Sequence, residues 1–168
     1  MKVKRIFLPV TLILVLATAG CQQPTTATSE VWLTHLTEQP EQSVRDIGAY
    51  PERWTTRLNT LQQMLDKGDA IAFKALEQLY LHADGSLATT LRFMLAKALP
   101  YQPVQVLRSA AELDLSAEDV CTPPFIEHPP EEVLAWLGAS EAALMSQAPE
   151  SGEDCILQLR ESRHQLGE

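Results

Sequence analysis

Residues 68–86, GDAIAFKALEQLYLHADGS, hold a complete helix together with its start and stop signals. Gly68 can end a preceding helix, and Asp69 can cap the N-terminus of the next one. Apolar residues then recur at steps of three or four, which is the spacing of one buried helical face. The turn at 84–86 ends the pattern. This stretch therefore predicts an α-helix between two short turns, with a buried face of Ala72, Leu76, Leu79 and Ala83.

The segments on both sides of this stretch show the same helical spacing. Pro51 occupies a position where a first-turn proline is tolerated, and a further helix follows the cap at Ser86. Sustained strand alternation is absent from the sequence. The predicted fold class is therefore all-α, a small irregular bundle of antiparallel helical hairpins. The predicted buried stripes are Trp54, Leu58, Leu61 and Leu65, then Leu87, Leu91, Met94, Leu95 and Ala98.

The predicted hairpins also suggest a repeat. Their starts at Pro51 and Ser86 lie 35 positions apart, within the range of helical-hairpin repeats. Residues 51–113 weakly resemble stacked HEAT-like or tetratricopeptide-like hairpins. Because no signature residues accompany the spacing, an irregular helical bundle is the alternative that we favour.

Helices are predicted in the C-terminal part as well. Pro103 begins a shorter helix, and residues 116–119 (SAED) have the pattern of a capping box. Residues 122–130 contain four prolines and are predicted to be extended. The predicted inward residues are Val104, Leu107 and Ala111, then Val133, Trp136, Leu137 and Leu144 of a helix from Pro130, and Cys155, Leu159 and Leu166 beside a helix from Glu153 to Gln165.

The N-terminus has the pattern of a signal peptide. A basic start at residues 1–5 precedes an apolar run at residues 6–17, which is too short to span a bilayer comfortably. Small residues and a cysteine follow. We therefore predict that residues 1–20 form a removable signal, and that the mature chain of 148 residues begins at Cys21.

The residues around this cleavage site resemble the lipobox of bacterial lipoproteins. Ala19, Gly20 and Cys21 match the pattern, whereas Thr18 stands where leucine is usual. The resemblance implies that Cys21 is acylated and holds the protein on a membrane. Gln22 differs from the aspartate that favours inner-membrane retention, which implies the periplasmic face of the outer membrane in a Gram-negative bacterium.

The remainder of the mature chain is predicted to form one acidic domain. Residues 21–29 carry the lipidated cysteine and a polar tether, and residues 30–168 form the single helical domain. The mature chain has 10 basic and 22 acidic residues, a formal charge of −12. This surface repels phosphate groups, so we expect no nucleic-acid binding and no electrostatic adhesion to lipids.

Two cysteines remain after Cys21. Cys121 and Cys155 are 34 positions apart in a chain exported to an oxidising compartment, so they predict a disulfide. A loop of this length contributes about 3–4 kcal/mol in the chain-entropy model. A redox pair would be closer in sequence, and a metal pair would need further ligands nearby. No metal and no cofactor are predicted.

The sequence contains none of the catalytic motifs with strong physical specificity. A glycine-rich phosphate loop, a nucleophile elbow, a zinc-peptidase motif and an EF-hand loop are all absent. The best polar candidate is a proline-framed binding loop that contains Phe125, Glu127, His128 and Glu131. The alternative is an apolar strap in which Phe125 and Ile126 pack onto the bundle.

Two functions follow from these patterns. The first, which we favour, is a non-enzymatic accessory or interaction module of the cell envelope, anchored to the outer membrane, that binds another envelope protein through a groove between helices. The alternative is a small envelope ligand-binding protein or hydrolase that uses Glu127 and His128 in a cleft.

Overall fold

A computed structural model describes residues 26–125 and 127–167 of the chain. These residues form nine α-helices and no strand, which confirms the all-α prediction. No helix within these ranges is both long and apolar enough to cross a membrane. The helices are α1 (Thr26–Glu38), α2 (Pro40–Ala49), α3 (Pro51–Asp66), α4 (Ala70–His82), α5 (Gly85–Ala98), α6 (Pro103–Glu112), α7 (Ala117–Cys121), α8 (Pro130–Gln147) and α9 (Glu153–Gln165).

Helix α4 lies at the centre of the bundle and packs against α1, α2, α3, α5 and α6. Its cap is the predicted one, because the Asp69 side chain accepts hydrogen bonds from the backbone N–H groups of Ile71 (2.9 Å) and Ala72 (3.0 Å). Gly68 has a positive φ of 79°, which glycine adopts without strain. The fully buried residues of α4 are Ala72, Phe73, Ala75, Leu76 and Leu79.

The predicted stripes of α3 and α5 are also buried. Trp54, Leu61 and Leu65 of α3 face the core, and Leu58 at the edge of that face is half-buried. Helix α5 contributes its predicted face in the same way, with only Leu87 half-buried. The buried residues of α5 on the predicted stripe are Leu91, Met94, Leu95 and Ala98.

The structure differs from the prediction at the start of the domain. Helix α1 begins at Thr26, so the last four residues of the predicted tether at 22–29 are helical and the boundary at residue 30 was placed too late. Helix α1 is stabilised by its packing against α4, in which Leu33 and Leu36 are fully buried. The predicted signal peptide and Cys21 lie outside the described residues.

The C-terminal helices follow the prediction except at the end of the chain. Trp136, Leu137 and Leu144 of α8 are buried, and Val133 is half-buried. Leu166 was predicted to face inward, but it is 46% exposed because it follows the last residue of α9. The predicted disulfide is present. Cys121 of α7 is bonded to Cys155 of α9, with a Cα–Cα distance of 5.4 Å.

The predicted inward face of α6 is wrong. Val104 is 52% exposed, Ala111 is exposed and Leu107 is half-buried. The helix turns a face of mostly small residues to α4, α5 and α8, and the buried Ser109 donates a hydrogen bond from Oγ to Glu77 Oε1 at 2.6 Å. Small residues allow close packing there, while Val104 and Ala111 are turned to solvent and the half-buried Leu107 lies at the edge of the core. The buried residues of α6 are Pro103, Val106, Ser109 and Ala110.

Candidate functional site

The outward stripe of α6 forms one wall of an open groove of about 520 Å³. The second wall is the turn after α6 together with α7, and the third is the start of α9. We call this site the α6–α9 groove. Most of its lining is aliphatic. Its main lining residues are Val104, Leu107, Ala111, Leu115, Ala117 and Val120.

A tight turn at the end of α6 brings the chain back to form the second wall. Asp114 has a positive φ of 54°, the left-handed conformation that commonly ends helices. The Leu115 N–H then donates to the Ala110 carbonyl at 2.9 Å, and the Asp114 N–H donates to the Ala111 carbonyl at 3.3 Å. This pair of bonds is a Schellman motif. It directs Leu115 into the groove beside the stripe of α6.

The second wall is fixed by the predicted capping box. The Asp119 N–H donates to Ser116 Oγ at 3.3 Å, and the Ser116 N–H donates to Asp119 Oδ2 at 2.9 Å. Arg92 of α5 donates from Nη1 to Asp119 Oδ1 at 2.7 Å. The Ser116 hydrogen bonds, helped by the Arg92 charge, lower the pKa of the Asp119 carboxyl against the opposing effect of burial. Asp119 therefore ties α7 to α5.

The third wall is held by the disulfide and by a close approach between helices. Cys155 lies in the first turn of α9, lines the groove and is bonded to Cys121 of α7. Just before α9, a Cβ atom on Gly152 would lie 2.7 Å from the Ala148 carbonyl oxygen. Only glycine fits this approach between the end of α8 and the start of α9. The groove is therefore a fixed feature of the fold.

Two charged side chains line the groove, Arg108 of α6 and Asp154 of α9. Neither forms an ion pair with another described residue. Both are solvent-exposed, so they remain accessible to a bound molecule. Chemically, this arrangement can remove apolar side chains of a partner from water and place charged groups at the edge of the contact.

A second depression of about 340 Å³ lies between α3 and α5, and the amide nitrogen of Gln62 in its lining already links the two helices. Gln62 donates from Nε2 to Asp66 Oδ1 at 2.8 Å and to the Met94 carbonyl at 3.1 Å. Burial raises the pKa of the Asp66 carboxyl, although the Gln62 hydrogen bond and the Lys97 charge oppose this shift. These contacts link α3 to α5, so we regard this depression as structural.

The proline-framed loop is on the surface. Phe125 is half-buried and packs edge-on against Trp136, with ring centroids 6.0 Å apart, while its own ring lies 4.9 Å from that of His128. His128 Nδ1 lies 2.9 Å from Glu132 Oε2, one turn into α8. The carboxylate partner of His128 is thus Glu132, neither Glu127 nor Glu131. Ile126 lies outside the described residues.

This loop is exposed and does not form the cleft that a catalytic role would need. Glu127 and Glu131 are exposed, and the His128 side chain is 44% exposed. Within residues 26–125 and 127–167, no group of three or more histidine, cysteine, aspartate or glutamate residues could hold a metal ion. Phe125 against Trp136 has the placement expected of an apolar strap.

Two features of the α6–α9 groove were not predicted from the sequence, although the second could have been. The first is the direction of the α6 stripe. Both faces of α6 contain apolar residues, and spacing alone does not show which face is buried. The charge distribution was readable in the sequence. No lysine or arginine occurs between Arg108 and Arg160, whereas eleven acidic residues do. Counting charges along the chain would have found it.

Comparison of this chain with protein families, with curated protein sequences and with solved structures finds no match.

Proposed function

We propose that this protein is a lipid-anchored lipoprotein of the outer membrane, and that its helical domain is a non-enzymatic interaction module that binds another envelope protein in the α6–α9 groove. One observation carries the binding proposal. A helix-spaced aliphatic stripe, Val104, Leu107 and Ala111, has no covering element in the described chain and lines an open groove.

The stripe fits a binding surface better than a packing defect. Isolated exposed aliphatic residues are common on protein surfaces, but contiguous apolar patches with polar rims are typical of interaction sites. Here the stripe is continued by the half-buried Leu115 from the turn after α6, and charged residues lie beside it. A groove of this kind accepts one face of a partner helix.

The anchor part of the proposal rests on the lipobox resemblance at Ala19, Gly20 and Cys21. Only four residues separate Cys21 from Thr26, the first residue of α1, and the five steps between these two Cα atoms span at most about 17 Å. An acylated Cys21 would therefore keep the domain close to the membrane surface. Partners within that short range would be membrane or envelope proteins.

Fractionation of cells tests the anchor. We expect Cys21→Ser to move the protein from the membrane pellet to the soluble periplasmic fraction and to abolish labelling by a radioactive fatty acid. Gln22→Asp is the matched variant, which should keep the label but move from the outer to the inner membrane. Membrane pelleting of the wild-type protein without lipid labelling would contradict the anchor.

In-cell crosslinking tests the interaction. The tagged protein is crosslinked, extracted in detergent and analysed by mass spectrometry. We expect a discrete envelope partner that is lost in Leu107→Asp and kept in Leu81→Asp, a control with the same charge change at a site 61% exposed on α4. Equal recovery of the partner with both variants would show that the groove is not the binding site.

A further inference from the structure

The charges around the α6–α9 groove identify the kind of partner that it fits. The two segments that form it, residues 104–121 and 149–156, contain seven acidic residues and one basic residue. Asp119 is occupied by Arg92, which leaves six acidic residues on these two segments. Asp154 lines the groove, and Glu153 lines a separate depression between α8 and α9. The other four, Glu112, Asp114, Glu118 and Glu150, are exposed to solvent.

From this pattern, and resting on the proposed function, we infer that the α6–α9 groove binds a basic amphipathic helix of a partner protein. The apolar face of that helix contacts Val104, Leu107 and Leu115, and its flanking lysine or arginine side chains face Asp154 and the exposed acidic residues of the two segments. Opposite potentials across such an interface favour fast association and suppress wrong partners. Helix α6 is about 15 Å long, which matches about three turns of a bound helix.

Two other occupants fit the groove less well. Residues 22–25, QQPT, are polar and uncharged, so this N-terminal segment offers neither an apolar face nor a basic flank. A second copy of the chain carries the same acidic groups, and the only basic residue that it brings on these two segments is Arg108. Self-association through this surface would bring like charges together.

The disulfide belongs to the same site. Cys155 lines the groove, and its bond to Cys121 joins the α7 wall to the α9 wall. Helix α7 also packs directly against α9, where Gln158 donates to Thr122 Oγ1 at 3.4 Å, and against α5, where Arg92 is bonded to Asp119. The disulfide is the covalent link between the two walls, so we expect the affinity for the helix to fall when it is removed.

Three synthetic peptides of about fifteen residues test the inference. The first has a leucine stripe at helical spacing flanked by lysines, the second has glutamates in place of the lysines, and the third scrambles the first. Binding to the full-length protein, extracted in a nonionic detergent, is measured by calorimetry. We expect the lysine helix to bind at least about tenfold more tightly than either control, and more weakly as salt rises. Equal binding of the glutamate or the scrambled peptide would overturn the inference.

Variants of the protein separate the apolar contribution from the charge contribution. Leu107→Gln and Val104→Gln should each weaken binding of the lysine helix about tenfold without a change in net charge. Glu112→Gln with Asp154→Asn should weaken it several-fold, whereas Glu38→Gln with Glu52→Gln, on α1 and α3, should not. An equal effect of the two double variants would mean that only the overall charge matters, which contradicts the inference.

The outcomes also distinguish this inference from the proposed function. If the in-cell partner depends on Leu107 but the lysine helix does not bind specifically, the interaction module stands and its partner is not a basic helix. If neither the partner nor the peptide depends on Leu107, both proposals are wrong. A crosslinked dimer of this chain through position 107 would replace the inferred partner with a second copy.

Discussion

The two halves of the domain use their apolar stripes and charges differently. In residues 26–102, which contain α1 to α5, the predicted stripes face the core, and nine acidic residues are offset by seven basic ones. In residues 103–168, which contain α6 to α9, one stripe lies in an open groove, and thirteen acidic residues face only three basic ones. We call these the N-terminal and C-terminal halves.

This difference indicates a division of roles. The N-terminal half contains α4 and most of its neighbours, and its predicted stripes lie in the core, although single aliphatic residues such as Ile71 and Leu81 are exposed. This is the arrangement of a scaffold. The C-terminal half leaves aliphatic surface uncovered and is joined by a disulfide. Surfaces that serve binding retain features that do not maximise stability. The contrast can be tested by perturbing each half in turn.

The largest effect is expected from the disulfide. Replacing both cysteines, in Cys121→Ala/Cys155→Ala, should lower the free energy of unfolding by about 3–4 kcal/mol, because the closed loop restricts the unfolded chain. Chemical denaturation followed by far-UV circular dichroism measures this change. Hydrogen exchange should show that amides of α7 and α9 lose more protection than those of α4. Uniform loss of protection across both halves would contradict the contrast.

The next largest effect is expected from the core of the N-terminal half. Leu76→Ala removes a fully buried side chain and should cost about 3 kcal/mol of unfolding free energy, since it leaves a cavity. Val104→Ala, in the groove, should change stability by less than about 0.5 kcal/mol because that side chain is already half in water. Comparable losses in the two variants would show that the α6 stripe belongs to the core.

A smaller effect is expected from two carboxylates, one in each half, whose contributions to the free energy of unfolding should change with pH in opposite directions. Asp119 has a lowered pKa, so its stabilisation is fully present above the unfolded pKa, about 3.9, and is lost as the pH falls through the folded pKa. Asp119→Asn should therefore cost about 1–2 kcal/mol at pH 7 and progressively less in acid. Urea unfolding from pH 7 to pH 3 measures this trend.

The Asp66 carboxyl should behave in the opposite way. Its pKa is raised by burial, so the folded state favours the protonated form and stability falls as the pH rises through the interval between the unfolded and folded pKa. Asp66→Asn should therefore remove this loss and leave the protein at least as stable at pH 7. If both variants lose stability in parallel at every pH, the opposite assignment of these two carboxyls is wrong.

The smallest effect is expected from the proline-framed loop. His128→Ala removes an exposed contact to Glu132 and should change unfolding free energy by less than about 0.5 kcal/mol. It should also leave the crosslinked partner unchanged, because the loop has no role in the α6–α9 groove. Loss of the crosslinked partner in His128→Ala, with the fold intact, would contradict this expectation and favour a binding role for the loop.

Much of the fold could be predicted from the sequence because the caps and the buried stripes depend on residues that lie close together in the chain. The Asp69 cap and the Ser116 and Asp119 box each involve residues within a few positions of one another, and both are confirmed. The predicted stripe of α4 is buried except at its last residue, Ala83, which is half-buried because it follows the end of the helix. The Cys121–Cys155 pairing followed because only two cysteines remained. Helix α1 was not predicted, and the start of the domain was set at residue 30, because Leu33 and Leu36 gain their role only by packing on α4.

The groove was not readable for a related reason. Val104 and Leu107 have the spacing of a core face, and only the tertiary packing of Ser109 and Ala110 against the bundle shows that the opposite face is buried. Small residues on the buried side allow neighbouring helices to approach closely. The spacing of apolar residues in the sequence does not reveal this packing. The HEAT-like resemblance and the lipid anchor at Cys21 stay predictions.

The most direct test of the account is site-specific photo-crosslinking in cells. A photoreactive amino acid at position 107 lies in the α6–α9 groove, and the same amino acid at position 81 lies on the exposed side of α4. We predict a discrete adduct with one envelope protein from position 107 and none from position 81. The same adduct from position 81, or its absence from position 107 in protein that is folded and membrane-bound, would contradict the proposal that the groove is the binding site.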